Sequence, residues 1–192
     1  MEVEPIRKME DVKRFYNWLN ENATPREAEC FLIGCNVALR AGDLLKLKFS
    51  DFDGKFIALN EQKTGKYKRI PVTPVITEAV ERLKKYYESK NFTATYLFQS
   101  TGNRAHHLCQ PICIQWLSVN FKRAAKALGF DHNINTHTMR KTWGYHAYER
   151  NEDILYIQAL FNHSNQRVTL NYIGVTRSTI EQMYRDNSIS FI

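Results

Sequence analysis

The sequence predicts a mainly α fold that carries a small antiparallel β-sheet (α+β). Three observations lead there. Apolar residues recur at helical spacing over most of the chain, the period shortens to that of strands between residues 55 and 72, and Pro and Gly mark the changes. At 192 residues the chain suits one domain, 1–192, with a full hydrophobic core and no staples. No internal repeat, low-complexity tract or linker divides it.

The elements follow in order. Glu10 to Asn22 carries Val12, Phe15, Tyr16 and Leu19 at helical spacing, which predicts an amphipathic helix. Thr24-Pro25-Arg26-Glu27 reads as a helix start, with Thr at the N-cap, Pro at N1 and Glu at N3 closing a capping box. The run to Leu39 is so apolar that its helix should be buried on most sides. Gly42 and Asp43 interrupt it, and Leu44, Leu45 and Leu47 resume an apolar stripe. Residues 55–59 and 67–72 read as strands joined through Gln62-Lys63-Thr64-Gly65-Lys66. Thr73-Pro74 opens a helix to about Lys90, and Tyr96-Leu97-Phe98 is a short extended piece. Pro111 to Leu128 predicts a helix that Gly129 stops. Helices follow at roughly 136–150, 153–161, 165–173 and 178–186.

Composition narrows the function. There are 27 Lys+Arg against 20 Asp+Glu, a net charge of +7. That excess favours a polyanionic partner, of which nucleic acid is the commonest. Cys30, Cys35, Cys109 and Cys113 lack the tight spacing of a zinc knuckle, and Cys30, Cys35 and Cys113 sit in apolar runs. They are expected to be buried reduced thiols with no metal. No apolar run reaches membrane-spanning length, and Met-Glu-Val-Glu-Pro does not begin a signal peptide. A cytoplasmic protein is expected.

Several residue sets suit phosphate chemistry. Arg40 closes an apolar run, where a guanidinium is costly unless paired or bound to an anion. Asp43, three residues on, is a candidate orienting partner, and in isolation a purely structural Arg–Asp pair is the plainer reading of the two. Lys63 sits near the tip of the expected hairpin among Lys66, Lys68 and Arg69, where a basic turn can follow a phosphate backbone. Charges that guard an edge strand are the plainer reading of Lys66 and Lys68. His137 and Arg140 stand one turn apart on one helix face, with Lys141 beside them. An imidazole next to a guanidinium suits a phosphate whose charge changes during reaction. His163 falls between two expected helices, nine residues before Tyr172.

In this order and company, the set resembles the catalytic residues of the tyrosine recombinases, the phage integrase family. Leu39-Arg40-x-x-Asp43-Leu44-Leu45-x-Leu47 resembles the family's first arginine box. Gln62-Lys63-Thr64-Gly65-Lys66, with Arg69-x-Pro71-Val72, is similar to its β-hairpin lysine. Thr136-His137-x-x-Arg140-Lys141-Thr142 resembles the second box, and Ile157-Gln158-x-Leu160-x-x-His163-Ser164 with Asn171-Tyr172 the third. The likeness spans about residues 25–175.

The resemblance implies a recombinase catalytic-domain fold and a transesterification of duplex DNA with no metal, cofactor or small-molecule substrate. Tyr172 would attack the scissile phosphodiester to form a 3′-phosphotyrosyl link and expel a 5′-hydroxyl. Arg40 and Arg140 would hold the non-bridging oxygens bidentately. A free phenol has a pKa near ~10 and needs a base, for which His137 is the candidate. His163 would hydrogen-bond the phosphate, Lys63 would protonate the departing oxygen, and Lys66, Lys68, Arg69 and Lys141 would contact DNA. A homo-oligomer on DNA, a tetramer, is implied, held through the C-terminal segment 178–192, where Ile180, Met183 and Tyr184 offer an apolar face. Asn162 stands where the family usually has Gly, and Thr138-Met139 replaces its commoner Asp/Ser-Leu. The family's N-terminal clamp domain is expected to be absent or removed. Two other readings share these residues: a type IB topoisomerase-like nicking and rejoining enzyme, and a DNA-binding regulator that keeps the fold without recombining.

Overall fold

The helix that Thr24-Pro25 opens forms the centre of the molecule. The computed structural model describes residues 3–102, 108–175 and 177–189, the side chains of 177–180 and 182 excepted. In chain order its elements are α1 (Met9–Asn22), α2 (Pro25–Val37), α3 (Ala41–Leu44), a 3-10 turn (Phe49–Phe52), β1 (Phe56–Asn60), β2 (Tyr67–Pro71), α4 (Pro74–Glu88), α5 (Ile114–Ala127), α6 (Thr136–Glu149), α7 (Ile154–Phe161), α8 (Gln166–Ile173) and α9 (Arg177–Asp186). α2 packs against α1, α4 and α6. Phe15 of α1, Phe31 of α2 and Phe121 of α5 meet edge-on or tilted at 4.8–5.7 Å between ring centroids. Burial of such rings is a large share of the driving force for folding.

Because α2 is surrounded, its charged residues Arg26, Glu27 and Glu29 are buried too, and each finds a partner. Glu29 accepts from Arg82 Nη2 at 3.0 Å and from the Tyr16 hydroxyl at 2.8 Å. The capping box at Thr24 forms differently from expectation. The Thr24 hydroxyl bonds the Glu27 carboxylate rather than a backbone N–H, and the same carboxylate accepts Trp116 Nε1–H at 2.7 Å. A tertiary contact from α5 has captured the capping residue.

The strands pair antiparallel, Phe56 opposite Pro71 through Asn60 opposite Tyr67. The turn between them is closed by Glu61 N–H to Lys66 O (2.9 Å) and Gly65 N–H to Glu61 O (2.7 Å). Gly65 takes a left-handed φ of 66°, which its missing Cβ permits. Tyr96 is extended and bridges Lys48. The helix expected from Pro111 begins at Ile114, with Cys113 as its N-cap: the Cys113 sulfur accepts Trp116 N–H at 3.4 Å. Cys109 and Cys113 are therefore exposed thiols, whereas Cys30 is buried as expected and Cys35 is half-buried.

A second, smaller cluster lies beyond α2: Ala38, Ala147, Ile157, Phe161 and Ile173, with Trp143 and Tyr172 packed against it. Gly144 is where α6 meets this cluster. A Cβ there would stand 2.7 Å from Ile173 Cγ2 and from the Phe161 ring. Overpacking of this kind costs about 1–3 kcal/mol, so Gly144→Ala should lower Tm by about 3–10 °C. A thermal melt unchanged from the parent would show that the two helices are not pressed together there.

Candidate active site

Local sequence sets each functional side chain. α2 ends at Val37 rather than Leu39, because Ala38 adopts φ 52° and turns its carbonyl away from the helix axis. That carbonyl accepts Arg140 Nη1–H at 2.5 Å. The next turn presents Arg40 as the residue before α3, about a quarter exposed at its side chain. α6 begins at Asn135, whose side chain accepts His137 N–H at 2.8 Å. His137 thus stands exposed on the first turn, at the positive end of a 14-residue helix, and Arg140 lies one turn on, 2 % exposed. α7 ends at Asn162 with φ 56°, a left-handed turn that Asn tolerates where the related pattern has Gly. This turn delivers His163, and α8 then carries Tyr172.

The structure brings these distant segments together. Arg140 donates through Nη2 to Phe161 O at 3.0 Å, and its guanidinium lies 4.5 Å over the Phe161 ring. The Tyr172 ring packs edge-on to Phe161 (5.4 Å) and to His163 (5.0 Å). The Lys141 ammonium stands 4.9 Å over the Tyr172 ring. Tyr172 is half-buried rather than sealed. Burial raises its phenol pKa, and the charges of Arg140 and Arg40 only partly pull it back. The proton therefore stays on at neutral pH without a base. Lys63 is exposed on the β1–β2 turn, near enough to act on His137.

Both imidazoles are held neutral. Partial desolvation, then the charges of Lys141, Arg140, Arg40 and Lys63, lowers the His137 pKa. Desolvation, then Arg140 and Arg40, does the same for His163. His163 Nδ1 lies 3.1 Å from Thr169 Oγ1, whose own hydroxyl donates to Asn165 O at 3.3 Å. In the tautomer that turns Nδ1–H toward Thr169, Nε2 is the ring nitrogen left for a further partner.

The charge that balances this cluster was not anticipated. Glu61, at the end of β1, is 1 % exposed. Its carboxylate lies 2.9 Å from Arg40 Nη1, 3.1 Å from Lys68 Nζ and 3.6 Å from Arg140 Nη1. Thr64 Oγ1 donates to Oε2 at 2.9 Å, and Asn162 Nδ2 donates to it at 2.8 Å. Burial would raise the pKa of Glu61, but the hydrogen bonds from Thr64 and Lys68, the charge of Lys68 and the close approach of the Arg40 N–H bring it down to about 2. Asp43, expected to orient Arg40, accepts instead from Gln62 N–H at 3.0 Å. Arg40 precedes α3 in extended conformation while Asp43 lies inside the helix, so the two side chains do not share a face. In sequence, Glu61 is the single acid between Asp53 and Glu78, in a stretch with five basic residues. That isolation was the available signal.

The remaining basic residues divide. Lys66 and Arg69 are exposed, Arg69 stacking 3.6 Å over Phe56. Lys68 points inward, donating to Leu160 O at 2.8 Å, and Lys141 is 5 % exposed. Neither presents its ammonium to the outside as Lys66 does. Among the described residues no cluster of His, Cys, Asp or Glu could hold a metal ion, and no helix is long and apolar enough to cross a membrane. A groove of 680 Å³ opens elsewhere, lined from Trp143 and His146 of α6 with residues of α1, α2 and α7.

Comparison with known proteins follows the same span. The profile of the Phage integrase family matches residues 8–178. The chain is 34 % identical over 185 residues to the probable integrase/recombinase YoeC of Bacillus subtilis (strain 168), covering 95 % of this chain and 96 % of that one. It is 28 % identical over 159 residues to tyrosine recombinase XerA of Pyrococcus horikoshii, covering 82 % of this chain and 53 % of the archaeal protein. The fold matches a crystal structure of XerA recombinase (TM-score 0.73, 18 % identity, 100 % of this chain and 68 % of that chain). It also matches a lambda integrase dimer bound to a COC′ core site (TM-score 0.68, 19 % identity, 100 % and 64 %). With the profile running through every segment that feeds the cationic cluster, and a relative matched almost end to end, the chain belongs to the phage integrase family, the tyrosine recombinases.

Proposed function

We propose that this protein is a site-specific DNA recombinase that cleaves and rejoins duplex DNA through Tyr172. The observation that carries this reading is the phenol of Tyr172 set against His163 and Lys141, with Arg140 and Arg40 near enough to act on its titration. In the cleavage step the Tyr172 oxygen attacks phosphorus and loses its proton to His137, neutral and accessible at the start of α6. The P–O5′ bond breaks, and the departing oxygen takes a proton from Lys63. A 3′-phosphotyrosine remains. Arg40 and Arg140 carry the charge that grows on the non-bridging oxygens in a site sheltered from water. Two of the five N–H groups of Arg140 are already committed to Ala38 O and Phe161 O, and its hydrogen bond to the Tyr172 side chain sets the guanidinium beside the nucleophile and the phosphate it attacks. Attack by a second strand's 5′-hydroxyl reverses the step with new connectivity, and no nucleotide cofactor is consumed.

DNA lies across Lys66 and Arg69 on the exposed hairpin face in this reading, and the enzyme works in the cytoplasm as a tetramer on DNA. The C-terminal segment 178–192 links the subunits. Met183 and Tyr184 of α9, 53 % and 78 % exposed, support an intermolecular role; the Ile180 side chain lies outside the described residues. The reading is tested on a suicide duplex nicked beside the scissile phosphate, whose short leaving strand diffuses away. A protein–DNA adduct that survives denaturation is expected, and its absence on cognate sites would refute the proposal.

Lys63 can be tested separately. Lys63→Ala should slow cleavage about 10²–10⁴-fold on an ordinary duplex, the worth of a positioned general acid. Replacing the 5′-bridging oxygen by sulfur should restore most of that loss, since a thiol of pKa near ~8.5 leaves without a proton. Equal losses on both substrates would remove the acid role from Lys63.

A further inference from the structure

The mechanism above leaves Glu61 unused, although its carboxylate meets side chains from several parts of the site. Two cationic side chains lie within 3.1 Å of its carboxylate and Arg140 at 3.6 Å, and Asn162 Nδ2 reaches it from the turn that carries His163. Those contacts come from four segments: the start of α3, strand β2, helix α6 and the α7 C-cap. Glu61 is also fixed at its own backbone, through the hairpin bonds to Lys66 O and from Gly65 N–H. The pairing is uneven. Glu61 Oε2 takes hydrogen bonds from Thr64 and Asn162, while Arg40 Nη1 and Glu61 Oε1, both buried, lie close to opposite charge without a well-aligned hydrogen bond of their own. A carboxylate placed this way prevents the cations from repelling one another apart before DNA arrives. Arg40 Nη1 is spent on this contact, and the rest of its side chain, about a quarter exposed, stays open to a phosphate.

Resting on the recombinase reading, we propose that Glu61 is a positioning residue for strand cleavage, the counter-ion that holds Arg40 and Arg140 at the spacing the scissile phosphate requires. It does not touch DNA. Its influence passes through the two guanidinium groups, and Asn162 ties that influence to the His163 turn.

The test separates binding from chemistry. Glu61→Gln keeps the shape and removes the charge. On the suicide duplex, single-turnover cleavage at saturating DNA should fall at least about tenfold. The Kd for the same duplex should stay within about twofold of wild type or tighten, since a negative charge has left the neighbourhood of a polyanion. The loss should persist on the 5′-sulfur duplex, because the defect lies in charge stabilisation rather than proton donation. Glu61→Asp keeps the charge but draws it back by one methylene, and should cleave at an intermediate rate. Wild-type cleavage by Glu61→Gln overturns the proposal, as does a loss fully rescued by sulfur, which would place Glu61 behind Lys63 alone. If Glu61→Gln does not fold, Glu61→Asp decides: slower cleavage with unchanged Kd supports the role, and an unchanged rate overturns it. Failure of the recombinase reading shows differently, as no adduct from the unsubstituted protein, and this proposal then falls with it.

Discussion

Tyr172→Phe leaves a folded protein that binds duplex DNA and forms no covalent adduct. The phenylalanine ring keeps the edge-on packing against Phe161 and His163, so the Tm should move by no more than about 1–3 °C. Only the oxygen is removed, and with it the atom that must bond to phosphorus. Loss of a sole nucleophile reduces the rate by about 10⁴-fold or more, below detection on a denaturing gel. The check is a pair of measurements on one preparation, a binding curve and an adduct gel. Residual adduct at a few per cent of wild type would mean that another group attacks.

Arg140→Lys should have the next largest effect, and it should damage both stability and rate. The positive charge survives, but one ammonium cannot reach Ala38 O and Phe161 O while also facing Glu61. A buried carbonyl left without a donor costs about 1–3 kcal/mol. The flat stack over Phe161 goes as well, and with it part of the support for the helix that ends at Asn162. Cleavage at saturating DNA should fall about 10²–10³-fold, the worth of one preorganised charge-stabilising donor. Arg40→Lys serves as the control, since its side chain is about a quarter exposed and holds no backbone carbonyl among the described residues: cleavage should suffer while the melt barely moves. Equal destabilisation by the two substitutions would contradict the division drawn here between a scaffold-bound Arg140 and a more accessible Arg40.

Local pattern carried the helices and the hairpin, because each depends on spacing within a few residues; the candidate catalytic set came from the order of short motifs along the whole chain. Thr24-Pro25 did open the central helix, residues 55–72 did form the sheet, and the turn at Asn162 did form without the glycine of the related pattern. What escaped depends on contacts between distant segments. Its isolation among basic residues singles Glu61 out, but nothing in the neighbouring sequence shows that Arg40, Arg140 and Asn162 will converge on it. Asp43 is the nearer acid to Arg40 in sequence, yet the extended backbone before α3 separates them, and a backbone N–H from Gln62 takes its oxygen. The early end of α2 at Val37 is tertiary in origin as well, since Ala38 has no local reason for a left-handed φ until its carbonyl meets Arg140. Cys113 was expected to be buried from its apolar neighbours, but it caps α5 at the surface. Lys68 and Lys141 were grouped with the outward charges by composition, and only packing shows them facing inward.

One experiment goes straight to the centre of this account: locating the bond between protein and DNA. The adduct trapped on a suicide duplex is digested with trypsin and nuclease, and the nucleotide-bearing peptide is sequenced by mass spectrometry. The expected peptide runs from Val168 to Arg177 and carries its phosphate on the Tyr172 oxygen, although the chain offers ten tyrosines. A phosphate found on any other side chain, or a non-covalent complex that falls apart on denaturation, would contradict it.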